Sequence, residues 1–260
     1  MTKAVVFFDL DGTLMQDDKT VAADTLQALA DLRAGGNLPV IATGRDLWEL
    51  AALRKTTGIN TLVAGNGATI VLDGDVRVRQ HIAPELVARV SAQAAAWGYA
   101  CAWYSEDGAA LSAVNALTRG NYEDVHQVAP PVDPGYPERH GLTRMLIFVA
   151  DNDAEALKAR FAAAFPELAF YHDSPFDIDL IERRLSKASG IRSLLAQPEL
   201  AGVTTYAFGD GDNDLPMRTV VDQLVAMGNA SPAMLDAADF VTADNMHGGI
   251  VAGLRHYGLI

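Results

Sequence analysis

Apolar positions along the chain alternate between short unbroken runs and stretches in which they recur every three or four residues. The runs "KAVVFF" and "LPVIA" lack polar alternation, which suits strands buried on both faces of a parallel sheet. Between them "AADTLQALADLRAGG" carries the helical period and stops at a glycine pair. A second helix is expected in "RDLWELAALRKTTG", then a strand and a hairpin turning at Asp73-Gly74-Asp75. From Pro84 the character changes. A helix in "PELVARVSAQAAAWG" precedes strands around "YACAWYS" and "ALSAV", and a proline-rich loop follows. Then come strand "TRMLIFVA", helix "AEALKARFAAAF" and strands in "LAFYHDSPFDIDLIE". From Ser186 the first pattern resumes: helix "SKASGIRSLLAQ", strand "VTTYAF", a helix after Pro216, strand "QLVAM", "SPAMLDAA" and a closing helix near "GGIVAGLRHYG". The pattern predicts an α/β protein with a mainly parallel sheet in 1–82 and 184–260, interrupted by an inserted mixed domain in 83–183.

In open parallel sheets, ligands sit beyond the carboxyl ends of the strands. Several unusual polar clusters follow apolar runs here. Asp9, Asp11, Gly12 and Thr13 follow "VVFF"; Thr43, Gly44 and Arg45 follow "PVIA"; the aspartates of "DGDND" (Asp210 to Asp214) follow "TYAFG". Gathering Asp9, Asp11, Asp210 and Asp214 on one rim is costly, because like charges raise one another's pKa. A divalent cation removes that cost, and with oxygen ligands alone Mg2+ is the natural choice. A calcium loop is the alternative for "DGDND". It departs from the EF-hand pattern, with Leu215 where glycine is required and Val221 where the closing glutamate belongs.

A carboxylate beside such a cation can attack phosphorus, and a second one two residues on can protonate the leaving alcohol and then activate water, a gain of about 10²–10⁴-fold. Gly12 would let backbone amides approach the phosphoryl oxygens. Thr43 and the Gly44 amide, at an expected helix N-terminus, would add donors, although Thr43 also reads as a plain helix N-cap. Lys187 falls in the first turn of its helix, where a cation opposes the helix dipole. A nearby anionic site would reverse that sign; otherwise it is a tolerated surface lysine.

Composition narrows the partners. Twenty basic against 33 acidic residues give a net charge of -13, which argues against nucleic acid or an anionic membrane as partner. An anionic substrate would therefore need a local cation. The single cysteine, Cys101, lies in an apolar run and reads as a packed side chain. No histidine pair has metal-ligand spacing, and neither a leader segment nor an apolar span of about 18 residues is present, so a cytoplasmic location is expected.

The ordered motifs "DLDGT", "ATGR", "SKASGI" and "GDGDND" resemble the haloacid dehalogenase superfamily and, more narrowly, the Cof-type sugar-phosphate phosphatases with a large α/β cap. The likeness spans nearly the whole chain and takes in "GNGA" (65–68), "MGNAS" (227–231) and "ADFVTADNMHGGI" (238–250). It implies a Rossmann-like doubly wound core with an inserted α+β cap that opens and closes. It implies a Mg2+-dependent phosphatase acting on a small phosphorylated metabolite through an aspartyl-phosphate. Asp9 would be nucleophile and metal ligand. Asp11 would be the general acid/base and bind metal through its carbonyl. Asp210 would complete the metal ligands. Thr43 and Lys187 would hold the phosphoryl group with the Leu10 and Gly44 backbones, Asn213 would contact phosphate, and Asp214 would orient the metal shell and the lysine. The chain departs from the family in lacking a lysine in "PAMLDAAD" and in the arginines of "DLIERRLSK" (Arg183, Arg184), which are expected to pair with cap carboxylates or stand solvated.

A phosphomutase using the same phosphoenzyme stays open on sequence, as does a non-catalytic phosphate-binding protein; a dehalogenase needs neither Asp11 nor the metal-binding aspartates. Arg45 and Asn66 in the core, and Arg119, Asn121, Tyr122 and His172 in the insert, are candidate substrate contacts, with Asn66 equally at home as a turn residue. Oligomeric state is not readable.

Overall fold

The protein's structure, a computed structural model, describes residues 2–125 and 127–260. It divides into two compact units, one formed by the chain up to Arg79 together with Leu185–Ile260, the other by Gln80–Arg184.

In the first unit, β1 (Ala4–Phe8) is buried at all five positions. Side chains alternate across a strand, so Val6 and Phe8 enter one apolar core with Leu29 and Leu32 of α1 (Ala23–Ala34), and Val5 and Phe7 enter another. That double burial is why the run shows no polar alternation. β2 (Leu38–Ala42) pairs parallel to β1. The segment expected to be one helix is a 3-10 turn, Leu47–Leu50, followed by α2 (Ala51–Thr57), which ends on Gly58 in the left-handed region. β3 (Leu62–Ala64), β4 (Thr69–Leu72) and β5 (Asp75–Arg79) complete this half, with antiparallel turns from β3 to β4 and from β4 to β5.

The second unit contains α3 (Pro84–Ala96), β6 (Cys101–Ser105), β7 (Gly108–Leu111), α4 (Ala116–Asp124), α5 (Tyr136–Arg139), β8 (Arg144–Phe148), α6 (Asp151–Ala164), β9 (Leu168–Ser174) and β10 (Asp177–Glu182). Its strands form an antiparallel sheet in the order β7-β6-β8-β10-β9. Val90 of α3 and Phe161 of α6 share a core with Trp103, Ile147 and Leu180, and Cys101 is packed there, its thiol pushed up to about 12 by burial. On α4, Tyr122 joins a second cluster with Tyr104 and Phe148, and the two tyrosine hydroxyls lie 2.7 Å apart. Two expectations change here. The strand expected at "ALSAV" ends at Leu111, and 116–124 is helical, capped by Asn115, whose side chain accepts from the Thr118 amide at 2.9 Å.

The chain returns through α7 (Lys187–Leu195), β11 (Thr204–Gly209), β12 (Gln223–Ala226), α8 (Pro232–Ala237), β13 (Phe240–Val241) and α9 (Gly249–His256). The helix expected after Pro216 is a 3-10 segment, Asp212–Thr219, that starts earlier and contains the proline. The first unit's sheet runs β13-β12-β11-β1-β2-β3-β4-β5, parallel from β13 to β3. It is a Rossmann-like α/β core with a chain reversal at its centre. After β1 the chain builds outward through β2, and it comes back on the other side of β1 as β11. Phe8 and Phe208 are register partners, so whatever follows each of them leaves the sheet side by side.

Candidate active site

Asp9 is the first residue past β1, and its amide donates to the Phe208 carbonyl at 3.0 Å, which fixes it against the end of β11. Two residues beyond Phe208, Asp210 accepts from the Thr13 hydroxyl at 2.7 Å. Gly12 makes this closeness feasible. Its φ of +79° lies in the left-handed region, and an added Cβ would sit 2.3 Å from an Asp210 carboxylate oxygen. Gly12→Ala should therefore displace Asp210, and the strained backbone should cost ~1 kcal/mol or more of stability, read as a lowered thermal midpoint.

Lys187 is buried, so the reading as a tolerated surface lysine fails. Ser186 caps α7, accepting from the Ser189 amide at 3.1 Å, and this places the following lysine in the interior. Its Nζ donates to Asp9 Oδ1 and, at 2.7 Å, to Asp214 Oδ1. The other Asp214 oxygen accepts from the amides of Asp210 and Gly211, both at 3.1 Å. Burial pushes Asp9 up to about 7, against the pull of Lys187 and with help from Asp214. Burial also raises Asp210. Burial alone would lower Lys187, but Asp9 and Asp214 outweigh it and hold the ammonium charged.

Asp9, Asp210 and Asp214 each offer an oxygen within 4.8 Å of the other two. The donors are all hard oxygens, and three buried or half-buried carboxylates face one ammonium, which leaves a negative excess suited to a hard divalent cation. Asp214 accepts three hydrogen bonds across both of its oxygens, so Asp9 and Asp210 keep more lone pairs for an ion, and Asp214 orients Lys187 and the 210–211 backbone.

Asp11 stands apart from this cluster. Its carboxylate accepts from Arg45 Nε at 3.0 Å and Nη2 at 2.7 Å, and from Lys19 Nζ at 2.8 Å. Burial would raise its pKa, but Arg45 and Lys19 hold it below the usual carboxylate range. Arg45, expected as a substrate contact, is thus an Asp11 partner here, and Lys19 was not anticipated. Exposed ion pairs between residues 8 and 34 positions apart leave no sequence pattern to read.

Thr43 is buried past β2. Its hydroxyl accepts from the Arg45 amide at 3.1 Å and its carbonyl from the Asn66 amide at 3.0 Å. The following helical turn starts at Leu47, capped from Asp46, so Thr43 is no helix cap and Gly44 lies outside any helix N-terminus. Asn66 adopts φ +51° as a turn residue, and its side-chain amide fills the space a Gly44 Cβ would need. The Leu10 side chain belongs to the core, while its carbonyl accepts from the Thr13 and Met15 amides. Asn213 is exposed beside Gly211.

In the second unit Tyr122 is a core residue, and Asn121 is buried, accepting from the Ser174 hydroxyl. His172 faces Asp151 and Glu155 of α6, and Arg119 is exposed. Arg184 pairs with Glu182, and Arg183 donates to the Pro166 carbonyl. Among the described residues no helix is long and apolar enough to cross a membrane.

A family profile described as haloacid dehalogenase-like hydrolase matches residues 6–254. YkrA of Bacillus subtilis (strain 168), which carries a provisional phosphatase name, is 29% identical over all of both chains. Among solved structures, a hypothetical protein from Geobacillus kaustophilus HTA426 superposes with a TM-score of 0.92 at 31% identity, over 99% of this chain and 100% of that one. The HAD subclass IIB sugar phosphatase BT4131 does so with a TM-score of 0.84 at 27% identity, over 99% and 100%.

Proposed function

The chain belongs to the haloacid dehalogenase-like hydrolases, and from that membership we propose that it is a Mg2+-dependent phosphatase of small phosphate monoesters, sugar phosphates foremost, working through an aspartyl-phosphate on Asp9. The observation that carries this reading is the Lys187 ammonium buried between Asp9 and Asp214, with Asp210 alongside. Similarity to the sugar phosphatase BT4131 supports the substrate class.

Asp9 and Asp210 would hold the ion, which when bound neutralises their repulsion and draws charge from the phosphoryl oxygens. Asp9 Oδ attacks phosphorus, forming the O–P bond as the bond from phosphorus to the leaving oxygen breaks. Asp11 gives its proton to that oxygen, releasing the alcohol. Asp11 then takes a proton from water, whose oxygen displaces Asp9 and frees inorganic phosphate. Lys187 and the Thr43 hydroxyl hold the transferring group. In this chemistry Asp11 must release Arg45 and Lys19, because a carboxylate held anionic by two cations is a poor acid. The unit Gln80–Arg184 is the inserted cap of this reading.

Phosphate release from a panel of sugar phosphates, with and without Mg2+, tests the proposal: ion-dependent free phosphate supports hydrolysis, transfer to a second hydroxyl of the sugar means a mutase, and no release overturns it. The Mg2+ dependence carries a pH signature. With Asp9 near 7 in the metal-free protein, proton and cation compete for one carboxylate. The half-saturating Mg2+ concentration should rise about tenfold per unit as pH falls below 7 and level off above it.

A further inference from the structure

Two sequence stretches, 227–231 and 238–250, have no role in the chemistry above, yet they reach the loops that carry it. The side-chain amide of Asn229 donates to the Gly12 carbonyl at 2.8 Å, and its oxygen accepts from the Asn245 backbone amide at 3.1 Å. Asn245 in turn donates through its side chain to the Met15 carbonyl at 3.0 Å and to Asp17 at 3.2 Å. On the other side, the Ser231 amide donates to the Asp210 carbonyl at 2.8 Å. Residues 229–245 thus grip both acidic loops by their backbones.

Resting on the phosphatase reading, we infer that Asn229, seconded by Asn245, is a positioning residue that fixes the Asp9–Met15 turn against the Asp210 loop. The side-chain type follows from polarity. A carbonyl only accepts and a backbone N–H only donates, so a group bridging Gly12 O and Asn245 N–H must do both, as a carboxamide does. Gly12 is the neighbour of Asp11 and already holds a left-handed φ with its α-carbon against Asp210. The Thr13 N–H of the same peptide donates to the Leu10 carbonyl within the turn, at 3.2 Å; the bond from Asn229 holds the opposite, carbonyl side, which the turn itself leaves to other partners. Asn229 is exposed, so its hydrogen bonds compete with water and add little to folding stability. Placement of a reacting group is far more sensitive, since a misplacement of about 1 Å can cost 10²-fold in rate.

Asn229→Asp retains the acceptor for Asn245 N–H and loses the donor to Gly12 O, whereas Asn229→Ala loses both. Both are assayed on p-nitrophenyl phosphate in about 0.5 M KCl, where an added surface charge is screened within a few ångström. Each should lower kcat at least tenfold with KM within about twofold and the thermal midpoint within about 4 °C. Asn245→Asp should lower kcat likewise, and the two Asp changes combined should cost less than the product of their separate losses. Wild-type kcat in Asn229→Asp, or a loss that tracks the thermal midpoint, overturns the inference. A wild-type protein that releases no phosphate overturns instead the reading it rests on.

Discussion

Asp9→Asn should lose phosphate release by about 10⁴-fold or more, since a carboxamide oxygen forms no stable phosphoenzyme and the first bond is never made. Folding should move the other way. Burial holds the Asp9 carboxyl at about 7, well above its unfolded value of 3.8, so the folded state binds that proton more tightly than the unfolded chain does. The resulting stabilisation is complete below 3.8, shrinks as pH rises to about 7 and is gone above it. In the metal-free protein at pH 8, ionised Asp9 therefore opposes folding, and the asparagine variant should melt at an equal or higher temperature. The gap should close as pH approaches 4. Denaturation across pH 4–8 without divalent ions, run beside the activity assay, tests both halves. Retained turnover, or a variant that melts well below wild type at pH 8, would mean Asp9 is structural rather than the nucleophile. A residue whose loss removes activity while easing folding is placed for chemistry at a cost to stability.

Lys187→Met should remove both activity and stability. The ammonium is surrounded by protein and touches two carboxylates, and deleting one partner of a buried ion pair typically costs about 3–5 kcal/mol because the other charge stays behind. For a chain of this size that is a fall of roughly 10 °C or more in thermal midpoint. The deficit should be larger at pH 8 than at pH 5.5, where Asp9 can take a proton instead of standing unpaired. On the proposed function, Mg2+ should restore part of the lost stability and none of the turnover. A midpoint insensitive to both pH and Mg2+ would place the stabilising charge elsewhere.

The motifs at strand ends were legible because they depend on local chemistry written in order: an unbroken apolar run, then acids, glycine and hydroxyl. β1 reads as buried on both faces from five apolar residues alone, and the helix opening at Ser186 reads from the pattern of "SKASGIRSLLAQ". What the sequence leaves out is which groups meet across distance. Lys19 and Arg45 reach Asp11 through flexible, solvated side chains, and nothing in their own neighbourhoods marks them as its partners. The Ala116–Asp124 helix is short and polar, and it is anchored by Tyr122 packing on Phe148; its Asn115–Thr118 cap was the readable sign. Lys187 could be placed in a first turn but not in the interior, because burial depends on Asp9 and Asp214 arriving from two other strands. The helix expected from Arg45 onward begins late because Asp46 and Glu49 cap Leu47–Leu50 instead.

The pairing of Phe8 with Phe208 has a meaning for how this chain comes together. That contact closes a loop of about two hundred residues, and the excursion from Gln80 to Arg184 supplies roughly half of it. Closure entropy grows only with the logarithm of length, so doubling the loop adds about 0.6 kcal/mol. The excursion is thus nearly neutral for the equilibrium of the core. Its influence falls on speed, because β1 has β2 at hand on one side but gains β11 on the other only after the excursion is made, and long-range pairing of this kind folds slowly.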